Sequence, residues 1–215
     1  MVTVRLSVKD IELRAARAQL SVMGTVTEDL PQGIRTLFLL GPQEPGFWPV
    51  FSTSAEYGDG ADDPLDRWSS RVIGTLADDL GGRAFFPFGG PPHQPFFKWA
   101  QLSGRAHGSP VGLLVHDTAG LMVSYRGAIG FSYAISTPKP NPNPCITCEM
   151  QACLTACPVG ALKGADYDVP ACKADLDRPG NDCMARGCAV RRACPVSQSY
   201  ARDEAQSAFH MEAFL

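Results

Sequence analysis

The sequence predicts an α+β chain in two parts: a mixed α/β domain over residues 1–135 and a small module of short helices and loops over residues 145–200. Three observations carry this. Up to position 135, apolar residues recur both as short runs and at helical spacing, enough for a core of their own. All eight cysteines lie after position 144. Between the two parts, Thr137 to Pro144 alternates proline with polar residues, a pattern that forbids helix and favours stiff, extended backbone. Residues 136–144 therefore read as a linker that ends one residue before Cys145.

The elements follow in order. Ile34 to Leu40 is a short apolar run closed by Gly41-Pro42, the pattern of a buried strand. Asp62-Asp63-Pro64 supplies an N-cap and a first-turn proline. Leu65, Trp68, Val72, Leu76 and Leu80 then recur at helical spacing until Gly81-Gly82, which predicts an amphipathic helix. Arg83 to Phe88 reads as a short strand or turn, and Phe96 to Gly104 as a helix. Val111 to Val115 and Leu121 to Tyr125 read as two strands around a hairpin-like turn. If Leu121 to Tyr125 is a strand, Tyr125 shares its apolar face and Arg126 lies on the other. Residues 201–215 predict a C-terminal helix, polar at first and apolar at Phe209, Met211, Phe214 and Leu215.

Composition narrows the function classes. The formal charge of −3 disfavours a nucleic-acid partner. No run approaches the roughly 18 apolar residues of a membrane span, and the N-terminus has no stretch that would serve as a signal-peptide core. A cytoplasmic protein with no membrane partner is expected. The N-terminal part carries no G-x-G-x-x-G in a strand–helix context, no Ser/His/Asp arrangement and no H-E-x-x-H.

The chemistry is in the cysteines. They read Cys145-x2-Cys148-x4-Cys153-x3-Cys157-Pro158 and Cys172-x10-Cys183-x4-Cys188-x5-Cys194-Pro195, two groups that each end in Cys-Pro. Thiolates in fours hold cubane iron–sulfur clusters, so eight provide for two [4Fe-4S] clusters with none left over. A zinc ribbon would need two Cys-x2-Cys pairs about 15–20 residues apart, and there is one such pair. Disulfides would need an oxidising compartment. The two Cys-Pro endings resemble the bacterial ferredoxin run, and that resemblance implies that the fourth cysteine of each run ligates the other cluster. On that pattern Cys145, Cys148, Cys153 and Cys194 hold one cluster, and Cys157, Cys172, Cys183 and Cys188 the other. The long gap after Cys172 could accommodate a loop instead, but without Cys172 the second site lacks a fourth thiolate. Arg186, Arg191 and Arg192 read as a solvated helix face, as compensation of cluster charge, or as a docking patch for a redox partner.

The double Cys-Pro pattern resembles the bacterial ferredoxin run, in the expanded form found in epoxyqueuosine reductases and reductive dehalogenases. The stretch Gly112 to Gly127 resembles the cobalamin-processing proteins of the CblC type, whose domain is nitroreductase-like; His116, Gly120, Arg126 and Gly127 match that family's positions. Asp63-Pro64-Leu65-Asp66 and the strand at Thr36 agree in order. The combined resemblance implies a corrinoid (cobalamin) bound by the N-terminal domain and reduced through the clusters. The rival is a ferredoxin-type electron carrier whose N-terminal domain binds flavin or a redox partner. A low-potential donor or acceptor protein and a small-molecule or corrinoid substrate are the implied partners. Respiratory dehalogenation is disfavoured because no twin-arginine signal is present. Epoxyqueuosine reduction is disfavoured because no tRNA-binding repeat follows the clusters. Among the remaining candidates, Arg126 suits an anionic group or a salt bridge that closes the domain, His116 could face the corrinoid but reads better as a hydrogen-bonded core histidine, Tyr125 is a proton donor or, better, a core residue, and Phe96, Phe97 and Trp99 could stack on a planar ring or pack internally.

Overall fold

A computed structural model describes residues 6–164 and 166–215. The elements run α1 (Val8–Arg17), β1 (Leu20–Val26), β2 (Thr36–Pro42), α2 (Phe47–Ser52), α3 (Ala55–Gly58), α4 (Pro64–Leu80), β3 (Arg83–Phe85), α5 (Phe96–Leu102), β4 (Ala106–Gly108), β5 (Leu114–His116) and β6 (Gly127–Phe131). A 3-10 turn at Ala152–Leu154 follows. Then come β7 (Leu162–Lys163), β8 (Asp166–Tyr167), α6 (Val169–Leu176), α7 (Cys183–Arg186), α8 (Ala189–Arg192), α9 (Pro195–Ser199) and α10 (Glu204–Glu212). The chain is thus mixed α+β.

Two compact units form, and the division is not a single cut. One holds the described residues through Arg105 together with Ser124–Pro140; the other holds Ala106–Val123 and Asn141–Leu215. The later boundary, between Pro140 and Asn141, falls inside the proline-rich segment, where residues 134–143 carry no regular secondary structure. The segment 106–123 groups with the cysteines, whereas the sequence places it in the N-terminal domain.

The first unit is built on an antiparallel sheet in the order β1-β2-β6-β3. Every residue of β2 and β6 is buried, so these central strands read as continuous apolar or glycine runs rather than alternating ones. Thr36 fixes the chain beyond β6: its hydroxyl donates to the Tyr133 carbonyl at 3.0 Å and accepts from the Ile135 N–H at 3.0 Å. Helix α4 starts with Pro64 in its first turn and stops at Gly81, whose φ of 65° is the left-handed conformation that ends helices. It buries Leu65, Trp68, Ser69, Ile73, Leu76, Ala77 and Leu80.

Three expectations need correction here. Asp63 occupies the N-cap position of α4 in left-handed backbone and its side chain makes no cap bond. Ile73, not Val72, is the fully buried member of the helical stripe, because the 3.6-residue repeat drifts off a strict four-residue step. Leu121 to Tyr125 is not a strand: β5 pairs with β4 instead, and Leu121 and Met122 form a turn closed by Met122 N–H on the Ala119 carbonyl at 3.0 Å. With no strand there, the alternation argument fails, and Arg126 is buried at 9% exposure while Tyr125 is partly exposed.

Ahead of α4, the short helix α3 is held to it by charge. Arg71 Nη2 donates to Glu56 Oε2 at 3.0 Å and its Nε bonds Oε1; Arg67 grips Asp59 with two bonds of 2.7 and 2.8 Å. The Arg71 hydrogen bond holds the Glu56 carboxyl at about 2, against an ordinary 4.5. In the unfolded chain Glu56 takes up its proton at the higher pH. The contact therefore contributes in full above about pH 4.5 and is lost as pH falls toward 2. Glu56→Gln is expected to cost about 1 kcal/mol at neutral pH, because Arg71 is largely exposed and screened, and to flatten the acid limb of the denaturation curve over that window. An unchanged acid limb in urea titrations from pH 2 to 5 would refute the assignment.

Candidate metal centre

The second unit holds all eight cysteines, and four of them meet at one cavity. Cys145, Cys148, Cys153 and Cys194 line one cavity of about 390 Å³, whose wall also includes Val115, Leu121 and Val196. Three of these cysteines come from the first group and the fourth from the far end of the second.

Each member is held by local chemistry. Asn143 accepts the Cys145 N–H through Oδ1 at 2.9 Å, an Asx turn that starts the loop. Cys153 sits inside the 3-10 turn. Cys194 is the extended N-cap of α9, with Pro195 in the first turn where a missing N–H costs nothing. Burial pushes the Cys145 thiol up, and so do Cys153, Cys194 and Cys148 beside it. Cys153 is likewise raised by burial and then by Cys194 and Cys148. A cation bound among them would offset both the burial and the mutual repulsion and favour the thiolate form.

Cys157, Cys172, Cys183 and Cys188 are arranged differently. Cys157 Sγ accepts the Ala161 N–H at 3.2 Å. Cys172 lies in the first half of α6, and Tyr167 donates its hydroxyl to Cys172 Sγ at 3.4 Å. Cys183 opens α7, its N–H received by Asn181 Oδ1 at 2.8 Å, while Asn181 Nδ2 donates to Asp175 at 2.7 Å. Cys188 is the N-cap of α8. Burial raises the Cys183 thiol and nearby Cys188 adds to the rise, against the Ala189 N–H and Arg192, which lower it. The Tyr167 phenol is pushed up by burial, then by its bond to Cys172 and the proximity of Cys188, so Cys172 and Cys188 share one neighbourhood. Five of the cysteines border one apolar core: Val111, Val115, Leu121, Leu162 and Val190 pack with Cys194, and Cys145, Cys153, Cys157 and Cys188 lean on it.

The three arginines separate. Arg186 pairs with Glu204 at 2.7 Å and Asp182 at 3.2 Å on the surface. Arg192 bonds Asp182 and the Gly187 carbonyl. Arg191 turns inward and donates to the Leu121 carbonyl; burial lowers its pKa, and Cys188 and Tyr167 act in the opposite direction.

Among the described residues, no group of three or more His, Cys, Asp or Glu side chains is placed to hold a metal ion.

The four residues of the CblC-type match are used structurally. His116 is fully buried in β5; its Nδ1 lies 3.2 Å from the Thr118 and Ala119 N–H groups and from Asp117 Oδ1, contacts that hold the turn. Gly120 closes that turn by exchanging backbone bonds with His116, and its open face is taken by Ser197. Arg126 lies in the first unit, bonded to Asp66 and, through Nε, to Ser69 Oγ at 3.1 Å, so its fork pins the first turns of α4 to β6. Gly127 lets Ile73 and Phe85 approach the sheet. Trp99 and Phe96 are core residues, and Phe97 is 60% exposed.

Several supporting residues escaped the sequence reading. Asn143 and Asn181 each stand two positions before a cysteine and each accepts its N–H, so the repeated Asn-x-Cys was a signal in plain view. Tyr167 and Ser197 carry no such local mark. Comparison of the chain with protein-family models, with curated proteins and with solved structures returns no match. No described helix is long and apolar enough to cross a membrane.

Proposed function

We propose that the chain is an iron–sulfur electron-transfer protein that carries two [4Fe-4S] clusters in its cysteine unit. The observation that carries this reading is the single cavity lined by Cys145, Cys148, Cys153 and Cys194, which joins the start of one cysteine group to the end of the other. That crossing is what a two-cluster ferredoxin-like module requires, and it supports the same crossing for Cys157 with Cys172, Cys183 and Cys188. When bound, such clusters supply one-electron transfer at potentials set by hydrogen bonds, charge and exposure. The chain's own part is to hold eight thiolates in place, to wall the first set with Val115, Leu121 and Val196, and to offer N–H and O–H donors to sulfur.

The electron acceptor we propose is a corrinoid, on the likeness to the CblC-type and epoxyqueuosine-reductase arrangement. The antiparallel sheet and helices of the first unit are compatible with a nitroreductase-like domain. His116, Gly120, Arg126 and Gly127 support it less than the layout does, since each is engaged in the protein's own packing. That engagement favours the second reading, an electron carrier whose first unit takes flavin or a partner protein.

Anaerobic reconstitution tests the first claim: about eight iron and eight sulfide per chain are expected, and zinc without sulfide would overturn it. Titration with cobalamin tests the second. A shift of the corrinoid spectrum to the base-off form, then Co(I) bands on reduction, is the expected result. An unchanged spectrum, with flavin retained through purification, would move the assignment to the carrier.

A further inference from the structure

Among the described residues of the second unit, five large apolar side chains are exposed. Three of them, Ile146 (77%), Met150 (78%) and Leu154 (48%), fall within nine residues of one loop. The same loop supplies Cys145, Cys148 and Cys153 to the cavity, so each of these cysteines alternates with an exposed apolar neighbour. Turns keep the loop compact: the Ile146 N–H donates to the Asn143 carbonyl at 3.2 Å, and the Leu154 N–H to the Gln151 carbonyl at 3.0 Å. Met150 lines the cavity together with the polar residues Thr147, Glu149 and Gln151, whereas Ile146 and Leu154 stand outside it. Apolar surface left in water is costly, and several such side chains gathered at one place mark a surface that meets another molecule.

Charge narrows what that molecule is. From Asn141 to Leu162 the chain carries one charged side chain, Glu149, and no Lys or Arg. The second unit as a whole holds ten Asp and Glu against seven Lys and Arg. A cluster on four thiolates adds further negative charge. On the reading of the chain as an iron–sulfur protein, we infer that the Ile146–Leu154 loop is the docking face for a redox protein whose own electron-transfer edge is apolar and ringed by Lys or Arg. One electron leaves the reduced cluster on Cys145, Cys148, Cys153 and Cys194 and reduces the partner's centre; no bond forms or breaks and no proton moves. Opposite charge steers the encounter, and the apolar contact sets the final approach. A patch this small suits a brief meeting, since electron-transfer complexes bury less than about 1,200 Å².

The test uses the reconstituted full chain, reduced with dithionite and freed of it anaerobically, then mixed in a stopped-flow cell with ferric cytochrome c, a basic haem protein with an apolar haem edge. The wild-type chain should reduce it in a second-order reaction that slows as salt rises. Ile146→Ser with Leu154→Ser removes two apolar side chains that lie outside the cavity, and should slow the reaction about tenfold. Its iron content should be unchanged, and so should its rate with hexaammineruthenium(III), a small hydrophilic acceptor that needs no apolar contact. Leu13→Ser, an exposed apolar position of the first unit, should leave both rates at wild type. A double variant that reduces cytochrome c as fast as wild type would overturn the inference. So would a wild-type rate that rises with salt, an equal loss with hexaammineruthenium(III), or a wild-type dimer that the double variant dissolves, which would make a second copy the occupant. Absence of iron and sulfide from the wild-type chain would instead bring down the iron–sulfur reading beneath it.

Discussion

Cys194→Ala is expected to remove one cluster and spare the other, lowering bound iron from about eight to about four per chain. Cys194 lies in the second cysteine group of the sequence but lines the cavity with Cys145, Cys148 and Cys153. Its loss should therefore mimic the loss of Cys145, not that of Cys188. Double variants make the expectation sharp. Cys145→Ala with Cys194→Ala should still retain about four iron, because both ligands serve one site. Cys145→Ala with Cys157→Ala should retain almost none, because each site loses a ligand. If each group held its own cluster, the two outcomes would be exchanged. Iron and sulfide analysis after anaerobic reconstitution decides between them. Alanine is tolerable at position 194 on packing grounds: the side chain is small, and removing one sulfur from the core beside Val115 and Leu121 costs about 1 kcal/mol.

The parts of this architecture that were legible in the sequence are those whose cause is local. Helix α4 announces itself because proline, the apolar stripe and Gly81 all lie within the segment they specify. One division between the two units, Pro140 to Asn141, lies in the proline-rich segment. What was hidden depends on distant partners. Leu121 to Tyr125 looks like a strand because apolar character records burial without recording what does the burying. Here Leu121 N–H is spent on Ser197 Oγ, 76 positions later, at 2.8 Å, and not on a neighbouring strand. For the same reason residues 106–123 belong with the cysteines: Val111, Val115 and Leu121 supply the core against which four of the eight thiols lean. Arg126 was assigned to a polar face by an alternation that the backbone does not adopt, and its real partners, Asp66 and Ser69, sit on α4. The Tyr167 contact with Cys172 needs the fold to exist before it can be seen.

Gly120→Ala is expected to be among the most disruptive single changes in the cysteine unit, although position 120 is not a ligand. Its φ of 56° is left-handed backbone, which costs a side-chain-bearing residue roughly 1–2 kcal/mol. A methyl group there would stand 2.6 Å from Ser197 Oγ and closer still to the Ser197 backbone nitrogen. The hydroxyl can rotate away, but the nitrogen belongs to α9 and cannot move without carrying the helix, at a further cost of about 1–3 kcal/mol. Ser197 is three residues after Cys194, so the helix displaced by the clash is the one whose N-cap is a proposed ligand. The variant should therefore melt well below wild type and lose the cluster on Cys145, Cys148, Cys153 and Cys194 to a chelator before the other. Two controls divide the effect. Gly164→Ala, at φ 60° with open space around it, isolates the backbone strain; Gly108→Ala, in β4 of the same hairpin with nothing near, should be close to neutral. A Gly120→Ala chain that behaves like Gly164→Ala in melting, and keeps both clusters through chelation, would mean that the turn does not set the position of Cys194.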